Sequence, residues 1–142
     1  MRYMTPLRCL RLLIVIGAAG GWACSGSSTA PSPVPAGLWG GDHIAMTVAS
    51  AATHLELDCA HGDIQGAITV DARGQFDVDG VFVREHGGPV RQDEVPDSHP
   101  ATYSGSVIST TMKLTIRLGD SNEPIGTFIL VRRSPGRILK CL

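Results

Sequence analysis

Met112-Lys113-Leu114-Thr115-Ile116-Arg117-Leu118 sets an apolar side chain at every second position, with Lys113, Thr115 and Arg117 between. A period of two turns one set toward a core and the other toward water, the habit of a strand in an antiparallel sheet. A helix would space its apolar positions three and four apart, so the stretch decides for strand. The same alternation runs upstream: Ile44, Met46 and Val48 around Ala45 and Thr47, then Leu55, Leu57 and Cys59 around Glu56 and Asp58. Shorter candidates are residues 67–70, 75–84, 102–108, 125–132 and 138–142. That makes about eight strands.

The connections agree. Asp71-Ala72-Arg73-Gly74 and Arg133-Ser134-Pro135-Gly136 have tight-turn compositions, residues 120–124 make a longer turn, and no stretch after residue 37 has an amphipathic helical pattern. Short strands joined by short turns predict an all-β fold, a small antiparallel up-and-down meander. Closing into a barrel removes its edges; a two-sheet sandwich of the same strands is the alternative. Gly62–Gly66 and Gly87-Gly88 read as turns, and Gly40-Gly41 beside Trp39 predicts a close backbone approach that directs the indole inward.

Ahead of this domain, Arg2, Arg8 and Arg11 precede an uncharged run at residues 12–24, LLIVIGAAGGWAC. A membrane-spanning helix needs about 20 apolar residues. The run is shorter and is broken by Gly20-Gly21, so it reads as the apolar region of an export signal. The residues around Cys24 resemble the lipobox of bacterial lipoproteins: Ala23 and Cys24 match, whereas Gly21 and Trp22 depart from the usual Leu and small residue. The resemblance implies cleavage before Cys24, acylation of that cysteine, and a membrane anchor. Ser25 in the next position implies the outer membrane if the organism is diderm, facing the periplasm or the exterior. An ordinary secretory signal cut near Ala23 or Ala30 is the alternative. Residues 25–36, SGSSTAPSPVPA, lack charge and bulk and read as a flexible tether. The expected organisation is a signal at 1–23, a lipidated cysteine and tether at 24–36, and one domain at 37–142.

Given that processing, the cysteines count out simply. The signal removes Cys9 and acylation uses Cys24, which leaves Cys59 and Cys141 to form a disulfide in an oxidising compartment. The bridge would close a loop of about 80 residues, for which the chain-entropy model gives roughly 4 to 5 kcal/mol. The parity of Cys59 with Leu55 and Leu57, and of Cys141 with Leu139, predicts thiols that point inward and pin the barrel seam.

Three of the 12 Lys and Arg lie in the signal, leaving nine against 13 Asp and Glu. The mature chain thus carries a net charge of about −4, and no basic run interleaved with aromatics suggests nucleic acid. There is no G-x-S-x-G elbow, phosphate-binding loop, H-E-x-x-H or dinucleotide fingerprint. If Ile44 lies across from Cys59 in the first hairpin, His43 falls near Ala60 and His61 with Asp42 and Asp63 close by, and the two histidines are weak zinc candidates whose spacing matches no zinc signature. Cys59 beside His61 imitates a thiolate and base, but a disulfide leaves no nucleophile. Asp77 and Asp79 read as a solvated face, as do Lys113, Thr115 and Arg117. No cofactor and no enzymatic activity are expected.

Residues 85–100, EHGGPVRQDEVPDSHP, show no strand pattern, and Arg91, Asp93 and Glu94 there are candidates for contacting a protein partner. Three roles stay open: an anchored interaction or structural protein of the cell envelope, an enzyme inhibitor, or a lipocalin-like carrier. The Asp58-Cys59-Ala60-His61-Gly62 turn resembles that of the small disulfide-linked β-barrel lipoproteins that block lysozyme, which is what suggests the second role.

Overall fold

A computed structural model describes residues 30–89 and 91–141. The signal and the lipidation candidate Cys24 lie outside the described residues. Ten strands follow one another: β1 (Ser32–Pro33), β2 (Gly37–Gly41), β3 (Ile44–Val48), β4 (Ala52–Leu57), β5 (Ala60–Gln65), β6 (Thr69–Val70), β7 (Gln75–Arg84), β8 (Asp97–Ile108), β9 (Thr111–Leu118) and β10 (Pro124–Arg132). Eight of them close into an antiparallel up-and-down barrel in the order β10-β2-β3-β4-β5-β7-β8-β9. The fold is the closed barrel rather than the sandwich. The two short strands β1 and β6 pair with each other outside it, with Ser32 opposite Val70. Val34 is buried and its N–H donates to Ile68 O at 2.8 Å, so the packed chain includes residues ahead of Gly37.

The count of eight agrees with the sequence, but its membership differs. Residues 67–70 shrink to β6, outside the barrel, and of the expected strand at 138–142 the described residues 138–141 form none; their places are taken by β2 and β5. Both had been hidden by glycine. In β5, Ala60, Gly62 and Ile64 face inward between His61, Asp63 and Gln65, so Gly62 belongs to a strand and not to a turn. A Cβ at Gly62 would lie 2.2 Å from Tyr103 Oη, and one at Gly80 on β7 would lie 2.9 Å from Tyr103 Cε2. Glycine on two neighbouring strands makes room for one tyrosine. Tyr103 is fully buried and its hydroxyl donates to Val81 O at 2.8 Å. Burial also raises its pKa above the usual phenol value.

In β2 the glycines answer to backbone. A Cβ at Gly40 would meet Gly136 N at 2.1 Å, and one at Gly41 would meet Ile129 O at 2.1 Å. This is the close approach anticipated beside Trp39, which is fully buried and donates from Nε1 to Pro35 O at 3.0 Å.

The interior is filled. Ile44 and Met46 of β3, Leu55 of β4, Ile64 of β5, Leu114 and Ile116 of β9 and Leu130 of β10 join Trp39 and Tyr103 in one cluster, each at most 1% exposed. Burying a large apolar side chain contributes about 1.5 to 3 kcal/mol, and this cluster is the principal source of stability. A small eight-stranded barrel is just wide enough to be packed by its own side chains.

Closure is uneven around the circumference. β7 and β8 pair over ten positions and β8 and β9 over eight, whereas β10 meets β2 at only two, Val131 with Gly40 and Arg132 with Trp39. Either side of those two pairs β2 still touches the chain, where Arg133 N–H donates to Leu38 O at 2.7 Å and Gly41 abuts Ile129 O.

Candidate functional site

In an up-and-down barrel every second connection lies at the same end. One end therefore collects the Asp42-His43 turn, the Asp58-Cys59 turn, the β7–β8 loop at residues 85–96 and the β9–β10 turn at residues 119–123. Most of the polar interactions of the molecule gather there or on the adjoining outer wall.

The carboxyl-terminal tail reaches this end from β10. After the turn at residues 133–136, Asp42 bridges Arg137 in parallel, His43 N–H donates to Arg137 O at 2.7 Å, and Leu139 N–H donates to Asp58 Oδ1 at 2.8 Å. Cys141 and Cys59 are joined by a disulfide with Cα atoms 5.3 Å apart. Both residues are exposed, which corrects the inward orientation predicted from parity. Cys59 sits in the turn beyond β4, where strand alternation no longer applies, and Cys141 lies in a tail outside the barrel. The bridge fastens that tail to the β4–β5 turn and leaves the β10–β2 seam to the strands themselves.

A ladder of charges continues the fastening along the outer wall. Lys140 Nζ donates to Glu56 and, at 3.0 Å, to Glu85 Oε2; His61 Nδ1 contacts Glu85 Oε1 at 2.7 Å; His54 contacts Glu56 at 2.8 Å and Asp63 at 2.7 Å. The rings of His54 and His61 stand 6.0 Å apart. Partial desolvation favours the neutral form of both Glu56 and Lys140, but their mutual hydrogen bond and those to His54 and Glu85 prevail, so Glu56 is held below and Lys140 above their ordinary pKa values. Hydrogen bonds from His61 and Lys140 lower Glu85, and those to Asp63 and Glu56 raise His54. The Leu139 N–H, aided by His43, lowers Asp58.

The sequence candidates fall into this arrangement as follows. His43, at a φ of 66° in the β2–β3 turn, contacts Asp58 Oδ2 at 2.6 Å, while His61 engages Glu85. Their partners differ, and among the described residues no three His, Cys, Asp or Glu side chains converge as a set for a metal ion. The pairing of Ile44 with Leu57, rather than with Cys59, is what separates the two imidazoles. The loop is shorter than residues 85–100, because Asp97–Pro100 pair with Val81–Arg84 and extend the β7–β8 hairpin. Glu94 is occupied within the loop by His86 and by the Arg91 N–H at 3.1 Å, while Arg91 and Asp93 are exposed. Asp77 and Asp79 are outward and exposed, as are Lys113 and Arg117, and the outward Thr115 bonds Thr127 across to β10. His54, Glu56, Glu85 and Lys140 were not singled out from the sequence. His54 and Glu56 share parity on β4, but the reach of Lys140 across from the chain end depends on the tail's path.

Within the rim lies a cleft of about 550 Å³ at the barrel mouth, with Leu57, Ala60, Phe82, Ile125 and Phe128 as its apolar walls and His43, Asp58, Arg84, Glu85 and Glu123 among its polar lining. A second hollow of about 400 Å³ lies under the β7–β8 loop between His61, Val83, Val95 and Pro96. Acidic side chains outnumber basic ones around this end. Arg84 is engaged by Glu123 at 2.8 Å, Arg137 by Asp42 at 2.9 Å, and Lys140 by two glutamates, which leaves Asp58, Asp93, Asp97 and Asp120 with only histidine or backbone partners or none shown. The arrangement can receive an apolar group and attract cationic neighbours.

No family model, curated protein or solved structure matches the chain.

Proposed function

We propose that this is a lipid-anchored protein of the cell envelope, held outside the cytosol through Cys24, whose barrel is a non-catalytic module that binds a protein partner at its open end. The observation that carries the binding part is the acid-rimmed apolar cleft at the mouth of a barrel whose interior is filled. Apolar surface ringed by polar groups is the composition of a binding patch. A filled interior places any ligand at the mouth, which weighs against the carrier role. The anchor rests on the lipobox resemblance and on the disulfide, which suits an oxidising compartment. Mass spectrometry of the amino-terminal peptide from the native envelope tests it. A mature chain starting at acylated Cys24 is expected; an acyl-free chain cut elsewhere would refute the anchor.

A second reading, inhibition of a basic hydrolase such as lysozyme, draws on the acidic charge of the same end. It predicts saturable inhibition by the purified chain that weakens as salt rises, since exposed charges are screened within about 10 Å at 0.1 M. Undiminished lysozyme activity at excess protein would remove it.

A further inference from the structure

We infer that the free edge of β10 is a strand-docking site, which accepts an extended segment of a partner protein with apolar residues at alternate positions and lysine or arginine between them. The inference rests on the proposed binding role and assigns it a place and a mode.

The first part of β10, residues 124–128, has no paired neighbour on one side, whereas from Ile129 onward β2 lies alongside it. β10 runs against β9 from Pro124 to Val131, but its other edge pairs only at Val131 and Arg132. The orientation of its backbone follows from one bond: Arg132 N–H donates to Thr110 O, on the β9 side, at 2.8 Å. Backbone groups alternate along a strand, so Leu130 and Phe128 also address β9 while Ile129 and Thr127 address the opposite side, where Gly41 lies against Ile129 O and Thr127 faces no paired strand. Thr127 is exposed, and its side chain bonds Thr115 at 3.0 Å as expected of a non-hydrogen-bonded pair. The tail does not cover this edge. It leaves the end of β10 beside Ile129 and Val131, then passes Asp42 and proceeds to Asp58 and Cys59, with no hydrogen bond to Thr127 among the described residues.

An unpaired edge is a template for another strand, and natural proteins ordinarily blunt one. Here it adjoins the mouth of the cleft, since Ile125 and Phe128 of β10 form one wall facing Leu57 and Phe82. An added strand would satisfy the backbone groups at Thr127 and direct every second side chain toward the cleft. Strand addition takes affinity from main-chain bonds and specificity from such pockets. Charge identifies the occupant: a second copy would bring another acidic end against Asp58 and Asp120, which have only histidine and backbone partners, whereas a segment with interspersed cations would be drawn to them.

The test uses the purified chain, disulfide intact, and an acetylated nine-residue peptide of alternating lysine and valine. Nuclear magnetic resonance titration is expected to show saturable shifts at residues 125–129 and at Leu57 and Phe82, with slowed exchange of the Thr127 N–H. Thr127→Pro removes the donor on the open side and should weaken binding about tenfold or more, the effect of losing roughly 1.4 kcal/mol. If that variant loses its fold, Ile125→Asp and the same peptide N-methylated at alternate residues serve instead, with the same loss expected. Three results would overturn the proposal: no binding at millimolar peptide, binding that maps to the β7–β8 loop and is unchanged in the variants, or a concentration-dependent dimer that buries β10. A partner found to cross-link elsewhere on the barrel would remove this site yet leave the proposed binding role standing.

Discussion

At the scale of single residues, the barrel is set by a fit between Tyr103 and the glycines opposite it. Gly62→Ala places a methyl group 2.2 Å from the Tyr103 hydroxyl, and overfilling a packed core costs about 1 to 3 kcal/mol. Tyr103→Phe alone forfeits the bond to Val81 O, about 1 kcal/mol. The next atom of that ring lies 3.2 Å from the new methyl, so the double variant should be less destabilised than the sum of the two. Urea denaturation of the four proteins reads this coupling, and strict additivity would mean that the residues do not meet. Leu114→Ala, at the centre of the cleanest strand, is expected to cost about 2 to 5 kcal/mol by the same measurement.

At the scale of elements, legibility followed the size of inward side chains. β9 could be read because Met112, Leu114, Ile116 and Leu118 are all large and the residues between them polar. β5 and β2 escaped because their inward or crowded positions are Ala60, Gly62, Gly40 and Gly41, whose smallness is demanded by Tyr103 and by the backbones of residues 129 and 136. The pairing of Cys59 with Cys141 was legible by counting. Its exposure was not, since the tail's path is set by hydrogen bonds to Asp58 and by Lys140, contacts across most of the domain that no local pattern records. The His and carboxylate ladder was invisible for the same reason, as cross-strand neighbours require the register. The fastening carries its own expectation. Removing the bridge by Cys59→Ala with Cys141→Ala should lower stability by about 2 to 5 kcal/mol in chemical denaturation while the far-ultraviolet dichroism of the barrel persists. Collapse of the barrel signal would show that the bridge does more than hold the tail.

At the scale of the whole molecule, every one of the five histidines stands beside a carboxylate: His43 by Asp58, His54 by Glu56 and Asp63, His61 by Glu85, His86 by Glu94, and His99 by Asp97 and Asp120. His54 is raised by Asp63 and Glu56, His86 by the Gly87 carbonyl and Glu94, and His99 by Asp120 and Asp97. A histidine whose folded pKa lies above its unfolded value of 6.5 contributes fully below 6.5 and loses that contribution as pH rises through the folded value. The lowered carboxylates Glu56, Asp58, Glu85, Glu94 and Asp120 act in the opposite sense, contributing above their unfolded values and losing the contribution as pH falls through the folded ones. Stability should therefore peak between the two ranges, with a higher Tm at about pH 5.5 than at about pH 8.5. A Tm that rises steadily through pH 8.5 would contradict the pairing.

The barrel is closed, but its β10–β2 seam is joined by only two residue pairs, and the free edge at Thr127 and the docking role depend on that short joint. Residue-resolved amide hydrogen exchange of the intact oxidised protein tests it most directly. The Phe128 and Leu130 amides, bonded to β9, should exchange slowly and the Thr127 amide, next to Phe128, rapidly; uniform protection along β10 would mean that this edge is covered.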